Sequence, residues 1–323
     1  MHDANGTTAL YPGRAAGPWL PVTVLLFGAT LWGLIWWPLK FFHQRGISDP
    51  VLILVAYGLV AVLMLPLLLR ERRRWWRRRN QFLLLVALGG YANLAFVTAL
   101  SQGEVIRVMM LFYLAPVWGV IGGRLFLGEV VALRRWFAVA VAVTGALVML
   151  VQPGAVSAAG SAADLLAVTA GMAFALNNVT CRAAQQLSVG VKTAAVFVGC
   201  ALLSVLLILF QGLALPPLAE SSWRWLAVFG VAWVLLATIA TQYGVTHMEA
   251  GRASVLLLVE LLAAVTSALW LGGEAMDAKE IIGGLLIAAA AVLEARNPGA
   301  ADPSATITPL AGTGTADGSG GAP

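Results

Sequence analysis

Ten apolar runs follow one another along this chain, each close to the roughly 20 residues that carry a helix across a bilayer. They cover about residues 19–42, 50–69, 81–100, 105–126, 133–151, 162–186, 193–211, 223–245, 253–271 and 281–295. Inside lipid every backbone N–H and C=O must find a partner within the protein, and a helix supplies them all. Ten such spans take up roughly 200 residues, which leaves loops and tails but no room for a soluble catalytic domain. Only 11% of the 323 residues are charged and the mean hydropathy is +0.87, where a soluble domain carries about 25% charged residues. The expected fold is an all-α membrane protein of ten transmembrane helices.

Composition shifts divide the chain. Residues 152–161 are rich in Gly, Ala and Ser and include Pro153, the pattern of a linker. They separate a first five-helix repeat, 19–151, from a second, 162–296. Residues 1–18 form an N-terminal tail without the basic run and cleavage site of a signal peptide, so the first span is expected to be retained. Residues 297–323 are Gly, Ala, Thr and Pro with almost no charge, which reads as a disordered tail.

Orientation follows from the cations. With the N-terminus inside, the cytoplasmic segments hold fifteen of the 20 Lys and Arg residues; Lys40, Arg45, Arg107, Arg224 and Lys279 fall outside. The positive-inside rule then puts both termini in the cytoplasm, with a bacterial inner membrane as the location. Seven arginines crowd residues 70–79 around Trp75 and Trp76. Their plain reading is a topology anchor beside anionic lipid, and the net charge of +5 therefore implies no nucleic-acid partner.

Several chemistries lack their residues. There is no GxxxxGK[ST] loop for phosphate, so ATP is not the energy source. Cys181 and Cys200 lie in apolar stretches and His2, His43 and His247 lie outside the span centres, so neither a disulfide framework nor a metal site is expected, and no cofactor. An enzyme would need a nucleophile with its base, or paired acids with a metal; the one mid-span acid, Glu260, has no intramembrane His or Asp beside it.

The chain also matches itself. A shift of 145 pairs Glu104 with Glu249, Arg107 with Arg252, Gly128 with Gly273 and Glu129 with Glu274; a shift of 142 pairs Trp32 with Phe174 and Lys40 with Arg182. Charged matches are informative where charge is scarce. Because each unit has five spans, an odd number, the second enters from the opposite side and the repeats are inverted. Inverted repeats recur in secondary transporters, with the substrate held near the midplane between them.

The run Leu111 to Pro116 (LFYLAP), followed by Leu127, Gly128 and Glu129, resembles the fourth-span signature of the drug/metabolite transporter superfamily, EamA type. Trp32–Gly33 and Gly273–Glu274 fit the same pattern. Within that superfamily the chain resembles the bacterial aromatic amino acid exporters, in which a tyrosine precedes a Leu-X-Pro step as Tyr113 does here. That branch has an aromatic residue where this chain has Ala115, which implies a broader pocket, and Leu261 stands where the ninth span usually has proline after its glutamate. The resemblance implies export of amino acids, aromatic and other neutral ones, by alternating access. It implies a small-molecule substrate and the lipid bilayer as partners, and a monomer or weak homodimer. Drug, metabolite and nucleotide-sugar carriers share the fold, and a channel is a further alternative.

Nine residues are candidates for a substrate cavity: Trp32, Tyr91, Asn93, Tyr113, Asn177, Asn178, Gln242, Tyr243 and Glu260. A carboxylate at the centre of a lipid-facing helix costs roughly 3 kcal/mol or more, so Glu260 must face a cavity or a partner. It reads either as a site for a substrate ammonium or a proton, or as a structural carboxylate bonded to Gln242, an asparagine or water. Amides can donate and accept, which suits both ends of a zwitterion, and they also join helices. Aromatic rings hold apolar side chains or cations; Trp32 shares a helical face with Trp36 at i, i+4. Gly119 and Gly123 form a GxxxG pair, which reads as close helix packing inside the bundle or as a dimer face. Glu129 and Glu274 are expected to cap or tether a following helix, and Arg107 and Arg252 to anchor at the interface or form a gate ion pair.

Overall fold

The computed structural model describes residues 19–128, 132–150, 161–213, 220–246 and 250–295. The tails, linker residues 152–160, Glu129, His247 and Glu249 lie outside the described residues, as does the side chain of Arg252. All elements among the described residues are helical. The first half comprises α1 (Leu20–Gly33), α2 (Trp36–His43), α3 (Asp49–Arg70), α4 (Arg72–Arg77), α5 (Arg79–Gln102), α6 (Val105–Phe112), α7 (Ala115–Leu127) and α8 (Leu133–Leu150). The second comprises α9 (Ala162–Ala183), α10 (Val189–Gln211), α11 (Glu220–Val228), a π-helical stretch (Phe229–Leu235), α12 (Leu236–Thr246), α13 (Ala250–Trp270) and α14 (Ala278–Ala295).

Among the described residues, seven stretches are long and apolar enough to cross a membrane: Leu20–His43, Asp49–Arg70, Arg79–Gln102, Val105–Leu127, Ala162–Ala183, Val189–Gln211 and Ser222–Gly244. The helices α8, α13 and α14 coincide with the other three apolar runs. The apolar parts of α8 and α13 are shorter, Trp136–Val148 and Leu256–Trp270.

Two runs that read as unbroken are each split in two. The cause is a proline, which offers no N–H to the carbonyl four residues back. Before Pro38 the chain tightens: Ile35 donates to the Trp32 carbonyl at 3.2 Å and Trp37 to that of Leu34 at 3.2 Å. Before and after Pro116, Leu114 donates to Leu111 at 3.2 Å and Val117 to Leu114 at 2.9 Å. These i→i+3 bonds are single 3₁₀ turns within spans. The carbonyls they release are covered from other helices. The Trp233 indole, in the π-helical stretch, donates to the Leu31 carbonyl at 3.0 Å. Gly171 of α9 lies against the Phe112 carbonyl, where a Cβ would stand 2.6 Å from the oxygen.

Helix contacts run α1 with α12 and α13; α5 with α9 and α10; α3 with α10 and the π-helical stretch; α9 with α6 and α7; α6 with α13; and α8 with α14. Glycines set the closest approaches. On α5 and α10, a Cβ at Gly90 would lie 2.5 Å from the Gly199 carbonyl carbon, and one at Gly199 would overlap the Val86 carbonyl oxygen. Gly199→Ala must therefore push two backbones apart. Overpacking of this kind costs about 1–3 kcal/mol, and the melting temperature in detergent is expected to fall by about 5 °C; an unchanged value would refute this contact. The expectation that the GxxxG pair packs inside the bundle is corrected in part. Gly119 faces open space, and the glycine of α7 in contact with α9 is Gly122, where a Cβ would meet Leu176 at 3.2 Å and Val179 at 3.3 Å.

Polar links gather at the two ends. At one end Lys40 pairs with Glu274 at 3.2 Å, and the Glu274 carboxylate also accepts the N–H groups of Val105 at 2.8 Å and Ile106 at 3.0 Å, opening α6. Glu274 thus caps α6 and ties it to α2, a correction to the expectation that it would serve the helix following it. Arg107 pairs with Asp164 at 2.9 Å, and buried Asp49 accepts from Ser101 at 2.7 Å and Gln102 at 3.1 Å while meeting His43 Nδ1 at 3.0 Å. The larger apolar core lies toward this end, built on Ile35, Leu39, Ile53, Tyr57, Leu100, Ile106 and Leu111. At the other end, Ser188 donates to Glu71 at 3.0 Å and Arg78 to Gln186 at 2.7 Å.

Candidate functional site

The split between α6 and α7 fixes the position of Tyr113, which ends α6 just as the chain turns toward Pro116. Its hydroxyl lies 3.2 Å from the Leu257 carbonyl and hydrogen-bonds the Glu260 side chain. Both acceptors are on α13, almost a turn apart. A phenol has one proton to give, so an ionised Glu260 and the Leu257 carbonyl compete for it. The second split, between α1 and α2, meets the same stretch of α13. A Cβ on Gly33 would run into the Glu260 carbonyl oxygen and stand 2.8 Å from the Ala263 Cβ. Trp32 is therefore carried to this junction and packs half-buried on the core. Beyond the split, the buried Trp36 indole donates to Ser267 Oγ at 2.9 Å; the broken helix gives Trp32 and Trp36 separate environments rather than one shared face.

From Tyr113 an aromatic wall runs outward. Phe112 stands 6.3 Å from Tyr113, 4.4 Å from Phe96 of α5 and 5.4 Å from Phe174 of α9, centroid to centroid. Asn177 and Asn178 follow Phe174 by three and four residues, one turn on. Asn177 is 7% exposed; its Nδ2 reaches only Cys181 Sγ at 4.0 Å and its Oδ1 has no partner. A Cβ on Gly89 would stand 3.0 Å from that Oδ1, and Asn93 donates to the Gly89 carbonyl at 2.9 Å, so the two amides share the seam between α5 and α9.

The nine candidates thus fall into groups. Tyr113 and Glu260 are bonded where α6 meets α13, and Trp32 stands beside Gly33, where α1 crosses the same stretch of α13. Asn93 and Asn177 lie on the α5–α9 seam. Tyr91 is 39% exposed and donates to Thr169 at 3.0 Å, away from Glu260. Asn178 and Gln242 are exposed and Tyr243 is half-buried; the last two sit on α12 between Thr241, which meets Gly28, and Gly244, which meets Leu25. Among the described residues no group of His, Cys, Asp and Glu could hold a metal, and both cysteines are free.

Sequence reasoning passed over Phe96, Phe112, Phe174, Trp233, Ser267 and Asp164. Asp164 carried a usable signal, the Ser161-x-x-Asp164 spacing of a capping box, which the structure forms. The phenylalanines carried none, being indistinguishable from lipid-facing residues.

The sequence model of the EamA-like transporter family matches residues 19–151 and again residues 161–295. No curated protein matches the chain. A solved crystal structure of a protein shares the fold with a TM-score of 0.55 at 17% identity, covering 84% of this chain and 95% of the other.

Proposed function

The chain belongs to the EamA-like transporter family, matched in two copies over most of its length, and from that premise we propose that it exports amino acids by alternating access. Membership makes it a multi-pass membrane protein of the drug/metabolite transporter superfamily, a family of small-molecule transporters. The narrower reading is a ten-span carrier of the bacterial inner membrane, termini in the cytoplasm, taking aromatic and other neutral amino acids.

A two-fold relation between the two units, 19–151 and 162–296, is supported by the contact pattern. The contacts of α1 with α12 and α13 have mates in those of α9 with α5 and with α6 and α7. The contact of α3 with the π-helical stretch has a mate in that of α10 with α5, while α3 with α10, α6 with α13 and α8 with α14 are their own mates. A two-fold axis generates such a set, and five spans per unit, an odd number, would place that axis in the membrane plane.

The observation that carries the substrate reading is the contact of Tyr113, at the break between α6 and α7, with Glu260 of the unbroken α13. An arriving ammonium would take the Glu260 carboxylate and leave the Tyr113 proton to the Leu257 carbonyl. The substrate carboxylate would lie toward the N-terminal end of α7, the positive end of its dipole. The side chain would meet the ring wall of Phe112, Phe96 and Phe174 together with Trp32, with Ala115 leaving room for more than one shape. Asn93, Asn177, Asn178, Tyr91, Gln242 and Tyr243 would line the rest of the path. The Lys40–Glu274 and Arg107–Asp164 pairs would hold one end shut in this conformation and part when the other end closes.

Purified protein in proteoliposomes tests this directly. Labelled phenylalanine and leucine are expected to show saturable counterflow, each competing with the other. Saturable counterflow of a nucleotide sugar without amino acid exchange would overturn the substrate, and flux that never saturates would overturn the carrier.

A further inference from the structure

We propose that the arginine-rich turn between α3 and α5 forms a binding site for the headgroup of an anionic phospholipid. The segment holds seven arginines and one acid, Glu71, within residues 70–79. That acid is engaged: it pairs with Arg74 at 3.3 Å and accepts from Ser188 at 3.0 Å. The turn is also fixed in place. Trp75 stacks on Phe82 of α5 at 4.6 Å and its indole donates to the Leu68 carbonyl of α3 at 2.9 Å. Fixing Trp75 inward turns Trp76 outward, where it is 63% exposed.

Between them an open cleft is lined by Trp76, Arg77, Arg78, Arg79, Asn80 and Gln81. Its lining contains three guanidinium groups, an indole and two amides, and no carboxylate. A guanidinium fork matches the two free oxygens of a phosphodiester, and Asn80 and Gln81 can meet headgroup hydroxyls. A choline or ethanolamine headgroup would bring a cation against three others. The source of the phosphate is the bilayer itself. Below the cleft, Leu69 of α3 and Leu83 and Leu84 of α5 are exposed, so acyl chains can continue along the helices from a headgroup held above. Trp76 stands where hydrocarbon gives way to headgroups, the usual depth of an exposed indole. Arg78 donates to Gln186, beyond the end of α9, so a lipid in the cleft also touches the connection leading into α10.

Binding can be read by native mass spectrometry of the full chain released from nonionic detergent and titrated with phosphatidylglycerol or phosphatidylcholine. Phosphatidylglycerol is expected to bind saturably at low stoichiometry and phosphatidylcholine much more weakly. Arg77→Gln with Arg79→Gln removes two cleft cations and leaves the Arg78–Gln186 bond, and should weaken phosphatidylglycerol binding by about 25-fold, roughly fivefold per arginine. Arg72→Gln with Arg73→Gln removes the same charge outside the cleft and should lose several-fold less. Should the first pair fail to fold, Arg77→Lys with Arg79→Lys keeps the charge, loses the fork and should bind at an intermediate level. Equal loss in the two glutamine pairs would reduce the site to diffuse charge and overturn it, as would equal binding of the two lipids. Full displacement by an equal concentration of soluble glycerol phosphate, or arginine-dependent binding of a short RNA in place of lipid, would overturn it too.

Discussion

Glu260→Gln is expected to raise the half-saturation concentration for neutral amino acids by about ten- to thirtyfold in proteoliposomes, with the protein still folded. The substitution keeps the shape of the side chain and its bond to Tyr113, which an amide oxygen can accept as a carboxylate does. What it removes is charge. A charge-assisted hydrogen bond is roughly twice as strong as a neutral one, and a difference of about 1.5–2 kcal/mol corresponds to that factor in affinity. Tyr113→Phe supplies the contrast. It leaves the carboxylate but takes away the phenol proton shared with the Leu257 carbonyl, so its effect should be smaller and should not depend on the substrate's ammonium. An analogue lacking that ammonium should lose little between the native protein and the Gln variant. If the variant melts earlier yet transports with unchanged kinetics per molecule, Glu260 is structural and leaves the site.

That pairing shows where a membrane sequence stops informing. Tyr113 and Glu260 each stand out alone, one by its place before a Leu-X-Pro step and the other as a mid-span acid, yet they are joined across 147 residues by the packing of α6 on α13. The split helices were foreshadowed by Pro38 and Pro116. Their consequence was not, because it depends on which neighbour covers the freed carbonyls, Trp233 in one case and the backbone at Gly171 in the other. Facing is the weakest inference. Lipid is as apolar as leucine, so a helix can be apolar on all sides and its inner face leaves no periodic trace. Tyr91 and Phe96 lie on one helix, and only the structure separates the exposed tyrosine bonded to Thr169 from the phenylalanine packed in the ring wall. The GxxxG spacing likewise fixed a face and missed the contact, since Gly122, rather than Gly119, meets α9.

Charge is legible where apolar residues are not, and the Arg107–Asp164 pair turns that into a large expected effect. Arg107 stands in the first turn of α6 and Asp164 in the first turn of α9, with side chains only 13% and 6% exposed. Asp164 has a second duty, closing the capping box with Ser161 through bonds of 3.0 and 3.1 Å. Asp164→Asn keeps an oxygen that can serve the cap and removes the charge facing Arg107. Breaking a buried pair costs up to about 3–5 kcal/mol when the remaining charge is left alone; Arg107 also lies within electrostatic reach of Glu280, so the melting temperature in detergent should fall by about 5 °C. Arg107→Met alone should cost less, because Asp164 keeps its cap partners. Combining the two removes both charges together, and the double variant is expected to be more stable than the sum of the single losses predicts. Additive losses would mean that the two side chains are neighbours without being partners, and that this end of the bundle is held by Glu274 and its cap on α6 rather than by the ion pair.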